Sequence, residues 1–284
     1  MNRLIRLLRL PRSAGAAARR GAPHSMFSDE LKSILPIARV TLLEIARSRL
    51  AWLIGTALLG SLAIAGFLQQ VAVIEAREIQ AAIIAALLRA CAVFFVVLFV
   101  VMSVVRDSND KFFELVLSQA MPRSSYLFGK FLGVAAAGAL IAVVLSVPVA
   151  LFAPVARVPV WTLSLFGELL VMAAVSLFCV LTFTHVLTAL SAAASFYLLA
   201  RSMAALQIIA ETSEHNERLA PQLADWFIQG VALVMPRLDQ MTQTGWLIDA
   251  TPDAATLASI LAQTVIYVVL ILGAALFDLY RQDL

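Results

Sequence analysis

Charged side chains are scarce in this chain. Asp, Glu, Lys and Arg make up 14% of its 284 residues, whereas 62% of the residues are hydrophobic. A typical soluble domain is about a quarter charged, and a soluble protein of the present composition would lack the polar side chains needed to cover its surface. The composition therefore argues against an ordinary soluble protein and predicts residence in a membrane.

Cysteine is rare, and the sequence patterns of several kinds of chemistry are missing. Cys91 and Cys179 both lie in apolar runs, which indicates small buried side chains and argues against a disulfide or a zinc site. The chain has no G-x-x-x-x-G-K-[ST] loop, because its only Gly-Lys pair, Gly129–Lys130, is followed by phenylalanine. It has no G-x-S-x-G and no H-E-x-x-H pattern either. We therefore expect no ATP site, no hydrolase centre, no metal and no cofactor, and we assign His185 to a polar turn.

Acidic residues are absent from the first 28 positions, where arginines stand three apart among leucines in MNRLIRLLRLPR. A basic, acid-poor segment of this kind resembles an organelle transit peptide. The alternatives are a basic helix lying on a membrane surface, or translation that truly starts at Met26. We treat residues 1–26 as a leader that is either disordered or the product of an upstream start, and residues 27–284 as one membrane domain.

Long hydrophobic runs occupy most of the remaining chain. About 20 apolar residues are needed for a helix to cross a bilayer. On that criterion the sequence predicts an all-α polytopic protein with six transmembrane helices, at about residues 50–71, 81–105, 126–152, 161–183, 187–210 and 254–279. The fourth and fifth spans come from one proline-free stretch over 161–210, which is too long for a single crossing and is expected to turn back within the polar segment 182–191.

Three polar segments connect or precede these spans. Residues 27–49 place apolar side chains on one helical face and basic ones on the other, which predicts an amphipathic elbow helix at the membrane surface. Residues 211–253 form a loop with short interfacial helices, indicated by Trp226, Phe227, Val231, Leu233 and Trp246. Residues 107–123 combine charge with Phe112 and Phe113 at helical spacing, which predicts a second short amphipathic helix.

The distribution of Lys and Arg predicts the orientation of the chain. Six spans place both termini on one side, and 15 of the 21 Lys and Arg residues fall on that side. Without the leader the ratio is still nine to six. The positive-inside rule therefore places both termini and the 107–123 helix in the cytoplasm, with the 211–253 loop outside. The six remaining basic residues are Arg77, Arg89, Arg157, Arg201, Arg218 and Arg237.

Among the ionisable residues inside the predicted spans, Arg89, Glu168 and Arg201 lie furthest from the span ends predicted to face the cytoplasm. Such groups are costly in a bilayer and usually face a partner or a cavity. We hypothesise that Glu168 pairs with Arg201 or Arg89 and that the surplus positive charge lines a translocation cavity open to the outside. The alternative is that the arginines extend to the outer headgroups and that Glu168 bonds a neighbouring helix.

Before the third span the chain carries an acidic residue, a leucine-rich run ending in Ser, an Arg and then Gly-Lys. The residues of this pattern are Arg106, Asp107, Glu114, Leu115, Leu117, Ser118, Arg123, Gly129 and Lys130. In this pattern the chain resembles the membrane subunits of ABC exporters, the type-2 permease family, which also carry a proline before the Arg. The basic helix before the first span is similar to that family's elbow helix, and Met235–Leu238 is similar to a proline-containing element before its last span.

This resemblance implies a function and a set of partners. It implies that the chain is the permease subunit of an ABC exporter of a bacterial cytoplasmic membrane and not itself an enzyme. A second, identical permease chain would pair with it, and two copies of a cytoplasmic ABC ATPase would bind the ATP; no nucleic acid is expected. The 107–123 helix would be the coupling helix that receives the ATPase stroke, through Asp107, Asp110, Phe112, Phe113, Glu114, Leu117 and Arg123. The alternative classes are a gradient-driven carrier, which would show broken helices, and a membrane scaffold.

Overall fold

The structure is a computed structural model that describes residues 35–45, 47–48, 50–71, 76–109, 123–183, 185–213, 230, 235–248 and 252–281. Within these ranges the chain forms helices joined by turns and contains no β-strand. The predicted all-helical class is therefore confirmed. The proposed leader, residues 1–26, lies outside the described ranges, and only residues 35–45 and 47–48 of the predicted elbow helix fall within them.

The described helices follow one another in a simple order. Helix α1 covers residues 35–45. The next elements are α2 (Leu50–Val71), α3 (Ala76–Asn109), α4 (Arg123–Phe152), α5 (Val158–Thr182), α6 (Val186–Ser213), a 3-10 turn (Leu238–Gln240), α7 (Gly245–Ile248) and α8 (Ala254–Arg281).

Five of these helices are long and apolar enough to cross a membrane. Their qualifying stretches are Arg77–Ser108, Ser124–Phe152, Val158–Thr182, Val186–Met203 and Ala254–Arg281. A shorter apolar stretch, Trp52–Leu68, belongs to α2. The described helices are therefore compatible with a multi-pass membrane protein, and the prediction of several long apolar helices is confirmed at that level.

Helix α5 is the centre of the bundle. It packs against α3, α4, α6 and α8, and 72% of its most apolar stretch is buried, against 22% for α6 and for α8. Arg157 occupies its N-cap position without a capping hydrogen bond from its side chain, and Pro159 stands in its first turn, where the missing N–H costs nothing. A helix that is apolar on all sides fits this position, because it meets other helices all around.

The turn between α5 and α6 falls within the predicted polar segment. Phe183 adopts an extended conformation (φ −99°, ψ 131°) and ends α5, and α6 begins at Val186. The Thr182 hydroxyl donates to Asp278 Oδ2 at 2.8 Å, which ties this end of α5 to α8. His185 lies exposed in the turn, and its carbonyl accepts from Ala189 N in the first turn of α6.

Helix α3 is longer than predicted at both ends. The predicted loop at residues 75–80 is helical from Ala76 onward, and the buried Gln80 side chain donates to the Ala65 carbonyl of α2 at 3.2 Å. At the other end, residues 107–109 belong to α3 and do not start a separate helix. At each end a polar side chain of α3 bonds a neighbouring helix: Gln80 bonds α2, and Asp107 bonds Lys130 of α4. The helix can therefore extend beyond the apolar run.

The described part of the 211–253 loop contains short elements that pack on the bundle. The 3-10 turn contacts α6, and α7 contacts α3 and α5. Leu238, Met241, Trp246 and Leu247 are buried. The loop thus covers one end of the bundle. Four of the aromatic and aliphatic residues cited for its interfacial helices, Trp226, Phe227, Val231 and Leu233, lie outside the described residues.

Candidate functional site

A set of charged residues joins the end of α3 to the start of α4. Lys130 Nζ lies 2.7 Å from Asp107 Oδ2, and the Tyr126 hydroxyl donates to the same oxygen at 2.8 Å. The Lys130 side chain is only 3% exposed. A buried ammonium needs a close counter-charge, and Asp107 provides it from the neighbouring helix.

Helix α1 is bound to the same place through Glu44. Its carboxylate pairs with Arg106, accepts from Ser103 Oγ at 2.6 Å, and lies 3.5 Å from Lys130 Nζ. Two acids and two bases therefore alternate across three helices. We call the residues Glu44, Ser103, Arg106, Asp107, Tyr126 and Lys130 the junction network.

The contact between α1 and α4 depends on a residue without a side chain. A Cβ at Gly133 would lie 2.6 Å from Thr41 Cβ and 2.9 Å from the Ala38 carbonyl oxygen. Real Cβ atoms do not approach backbone so closely, so only glycine lets α1 lie this near to α4. A cavity of about 390 Å³ remains beside the contact, lined on one side by Pro36 and Val40 and on the other by the junction network.

The junction network lies on both sides of the predicted coupling helix, because Asp107 is in the last turn of α3 and Tyr126 is in the first turn of α4. Arg123, also predicted to act in coupling, is the first residue of α4. The other predicted coupling residues lie outside the described part of the chain, and their role stays a prediction. They are Asp110, Phe112, Phe113, Glu114 and Leu117.

A second polar cluster lies deeper in the bundle. Arg201 Nη1 donates to the carbonyls of Leu238 and Met241, at 2.5 and 2.8 Å. Arg89 Nη1 donates to the Thr242 carbonyl at 2.8 Å. Two arginines from α6 and α3 thus donate to three carbonyl groups of the loop, at residues 238, 241 and 242, and hold the loop against the bundle.

Glu168 completes this arrangement. Its carboxylate is fully buried, accepts from Thr242 Oγ1 at 2.6 Å, and lies 3.9 Å from Arg201 Nη1. Thr242 N donates to Ser164 Oγ at 2.8 Å, and Thr242 takes a positive φ of 52°. We call Arg89, Ser164, Glu168, Arg201 and Thr242 the loop clamp.

The structure brings together the three intramembrane ionisable residues singled out in the sequence. Glu168 lies within ion-pair distance of Arg201 of α6, as hypothesised, and also accepts from Thr242 of the 235–248 loop, to which both arginines donate. Whether these residues also line a translocation cavity stays a prediction. Arg89 precedes Arg106 by 17 positions on α3, so about 26 Å of helix separates the loop clamp from the junction network.

Sequence reasoning did not identify Glu44, Tyr126, Ser164 and Thr242 as site residues. For Glu44 and Tyr126 the sequence offered one indication. Both are polar residues next to an apolar run, and polar side chains at such positions often bond one another. Thr242 carried none. A positive φ is typical of glycine or asparagine, so a threonine in the sequence does not indicate a residue with that backbone conformation.

Within the described residues, no group of three or more His, Cys, Asp and Glu side chains is placed to hold a metal ion. Cys91 and Cys179 are both free thiols. No protein-family model matches this chain, and a search of curated proteins returned no significant match.

Proposed function

We propose that this chain is the membrane-spanning permease subunit of an ABC exporter and that a separate ATPase drives it. In this proposal α2 is the first of six spans, α1 is the elbow helix lying on the membrane surface, and the membrane is the bacterial cytoplasmic membrane. Both termini and residues 107–123 face the cytoplasm. Two such chains pair, and one ATPase docks beneath each.

The observation that carries the proposal is the junction network. It connects the two helix ends that border residues 110–122 to each other and to α1, through pairs that include the buried Lys130. A segment that is only a solvated loop has no need of such anchoring. A segment that must pass a push from a partner into α3 and α4 does, because both helix ends have to move as one body.

The continuity of α4 and α5 argues against the carrier alternative. Gradient-driven carriers often bind substrate where spans are broken. The two positions that could mark breaks are Pro148 and Gly167, and α4 and α5 run through them without interruption.

Copurification tests the proposal. The tagged full-length chain should bring down an ABC ATPase from its own cells, and Phe113→Asp or Glu114→Lys should each abolish that association while the permease stays folded in the membrane. Arg77→Glu is the control, since it reverses an exposed charge in the first turn of α3, where an acid suits the helix N-terminus. Undiminished ATPase binding in both coupling variants would exclude residues 107–123 as the docking element. Full transport by the reconstituted chain alone would exclude the proposal itself.

A further inference from the structure

A groove lies at the corner where α1 turns into α2. It encloses about 560 Å³ and faces the last three turns of α3. The chain turns sharply here: Ser48 N and Ser48 Oγ both donate to the Ile45 carbonyl, at 3.1 and 2.8 Å, and α2 begins at Leu50. We call this space the corner groove.

The lining of the corner groove changes from charged to apolar along α3. Arg47 and Arg106 lie at one end, and Leu98 and Met102 lie further along α3 toward the middle of the bundle, with Leu53 opposite them on α2. Arg106 and Leu98 are eight positions apart on one helix, which is about 12 Å. Polar and apolar ends about 12 Å apart match a phospholipid, whose phosphate lies at the surface and whose chains run inward.

The charge at the polar end is also suitable. Two arginines and Glu44 line the groove, so the lining carries one net positive charge. The Glu44 carboxylate already accepts from Ser103 and pairs with Arg106 and Lys130. It is therefore committed to the protein and holds Arg106 in place. A guanidinium has five N–H donors, so Arg106 retains donors for a phosphate.

The surroundings of the groove indicate a lipid and not a soluble anion. Leu43 and Trp52, on either side of the corner, are 62% and 79% exposed. Trp is typical of the membrane–water boundary, and exposed apolar side chains on both α1 and α2 suit contact with lipid. A soluble phosphate would leave Leu53, Leu98 and Met102 without an apolar partner.

We propose that the corner groove binds one anionic phospholipid, with its phosphate between Arg47 and Arg106 and its acyl chains against α2 and α3. This site is independent of the transport proposal. It requires only that the helices cross a bilayer, and it places a lipid contact directly on the arginine that joins Glu44 to α3.

Native mass spectrometry of the purified full-length protein tests the site. The protein is exchanged into equimolar phosphatidylglycerol and phosphatidylcholine with identical chains, and the lipids that remain bound are counted. We expect the wild type to retain phosphatidylglycerol preferentially and Arg47→Gln to lower that preference about fivefold. The control, Arg281→Gln, removes an exposed arginine at the end of α8 and should leave the preference unchanged.

Three results would overturn the proposal. The first is equal retention of both lipids by the wild type. This result does not depend on whether any substituted protein folds. The second is an equal loss of preference in Arg281→Gln. The third is displacement of the bound lipid by excess inorganic phosphate or glycerophosphoglycerol, which would mean that the arginines bind a free phosphate group and that the apolar wall is not used.

Discussion

Lys130 of α4 and Asp107 of α3 form an ion pair of 2.7 Å at the place where the two helices border the segment proposed to act in coupling. The lysine is almost completely buried, while Asp107 and Glu44, the two acids near it, are 17% and 14% exposed. Lys130 is therefore the innermost charge of the junction network, the two carboxylates are slightly exposed, and Arg106, whose side chain is 56% exposed, forms the edge toward water.

Replacing Lys130 with methionine should destabilise the protein. The change leaves Asp107 without its cation, and removing one member of a buried pair is strongly unfavourable. Because the two acids keep some contact with water, we expect about 2 kcal/mol, less than for a fully enclosed pair. The thermal unfolding midpoint of the purified protein in detergent measures the loss.

The double variant Lys130→Met with Asp107→Leu serves as the control for this effect. It removes both charges, so it should recover part of the stability lost in the single variant. The losses of unfolding free energy in Lys130→Met, in Asp107→Leu and in the double variant are compared. If the loss in the double variant equals the sum of the two single losses, the 2.7 Å pair contributes no coupling energy.

Substituting Gly133 with alanine should displace α1 from α4. The added Cβ would meet the Ala38 carbonyl oxygen at 2.9 Å and Thr41 Cβ at 2.6 Å, and backbone cannot yield as a flexible side chain does. We expect faster proteolysis within residues 35–48 and a lower unfolding midpoint. Gly138→Ala is the matched control on the same helix, because its Cβ would meet only Leu169 Cβ at an ordinary 3.7 Å. Equal behaviour of the two variants would contradict the close contact.

The helices were predictable from the sequence because long apolar runs leave few alternatives. Even the turn between α5 and α6 could be placed, since the proline-free stretch over 161–210 is too long to cross one bilayer as a single helix and contains one polar segment. Helix ends were less predictable. Residues 107–109 resemble a helix start when read alone, and they continue α3 because Asp107 meets Lys130, which lies 23 positions later.

The loop clamp was only partly predictable. Arg89, Glu168 and Arg201 could be identified because charge inside an apolar span is costly. Their common partner could not, because the Leu238, Met241 and Thr242 carbonyls carry no residue-specific signal. The arginines reach them across 37 to 153 positions of sequence. These carbonyl groups accept from the arginines only because the tertiary structure brings the loop next to α3 and α6.

Thr242 should tolerate serine and not valine. Serine keeps the hydroxyl that donates to Glu168 Oε2 and reduces the crowding that a β-branched residue suffers at a φ of 52°. Valine keeps the shape and removes the donor from a buried carboxylate, which should cost about 2 kcal/mol. The ranking of unfolding midpoints, with serine at or above threonine and valine clearly below, measures this. A valine variant as stable as the wild type would show that Glu168 does not depend on Thr242.

Arg201→Leu should release the 235–248 loop. It removes both hydrogen bonds to the Leu238 and Met241 carbonyls together with the charge nearest Glu168. Amide hydrogen exchange in residues 238–248 should become faster, while Arg237→Leu, an exposed arginine in the same loop, should leave it unchanged. Export assays on the same variant test the cavity hypothesis, because unchanged transport at normal protein levels would exclude a role for Arg201 in translocation.

Labelling of single cysteines tests the orientation on which the transport proposal depends. In a chain with Cys91→Ala and Cys179→Ala, a cysteine is placed at Ser108, exposed near the end of α3, or at Ala156, exposed between α4 and α5. The two positions lie at opposite ends of α4, so one membrane-impermeant maleimide should distinguish them. We expect labelling of the Ala156 position in intact cells and of the Ser108 position only after the membrane is opened. The reverse pattern would place the junction network outside the cell, where no ATPase could act on it.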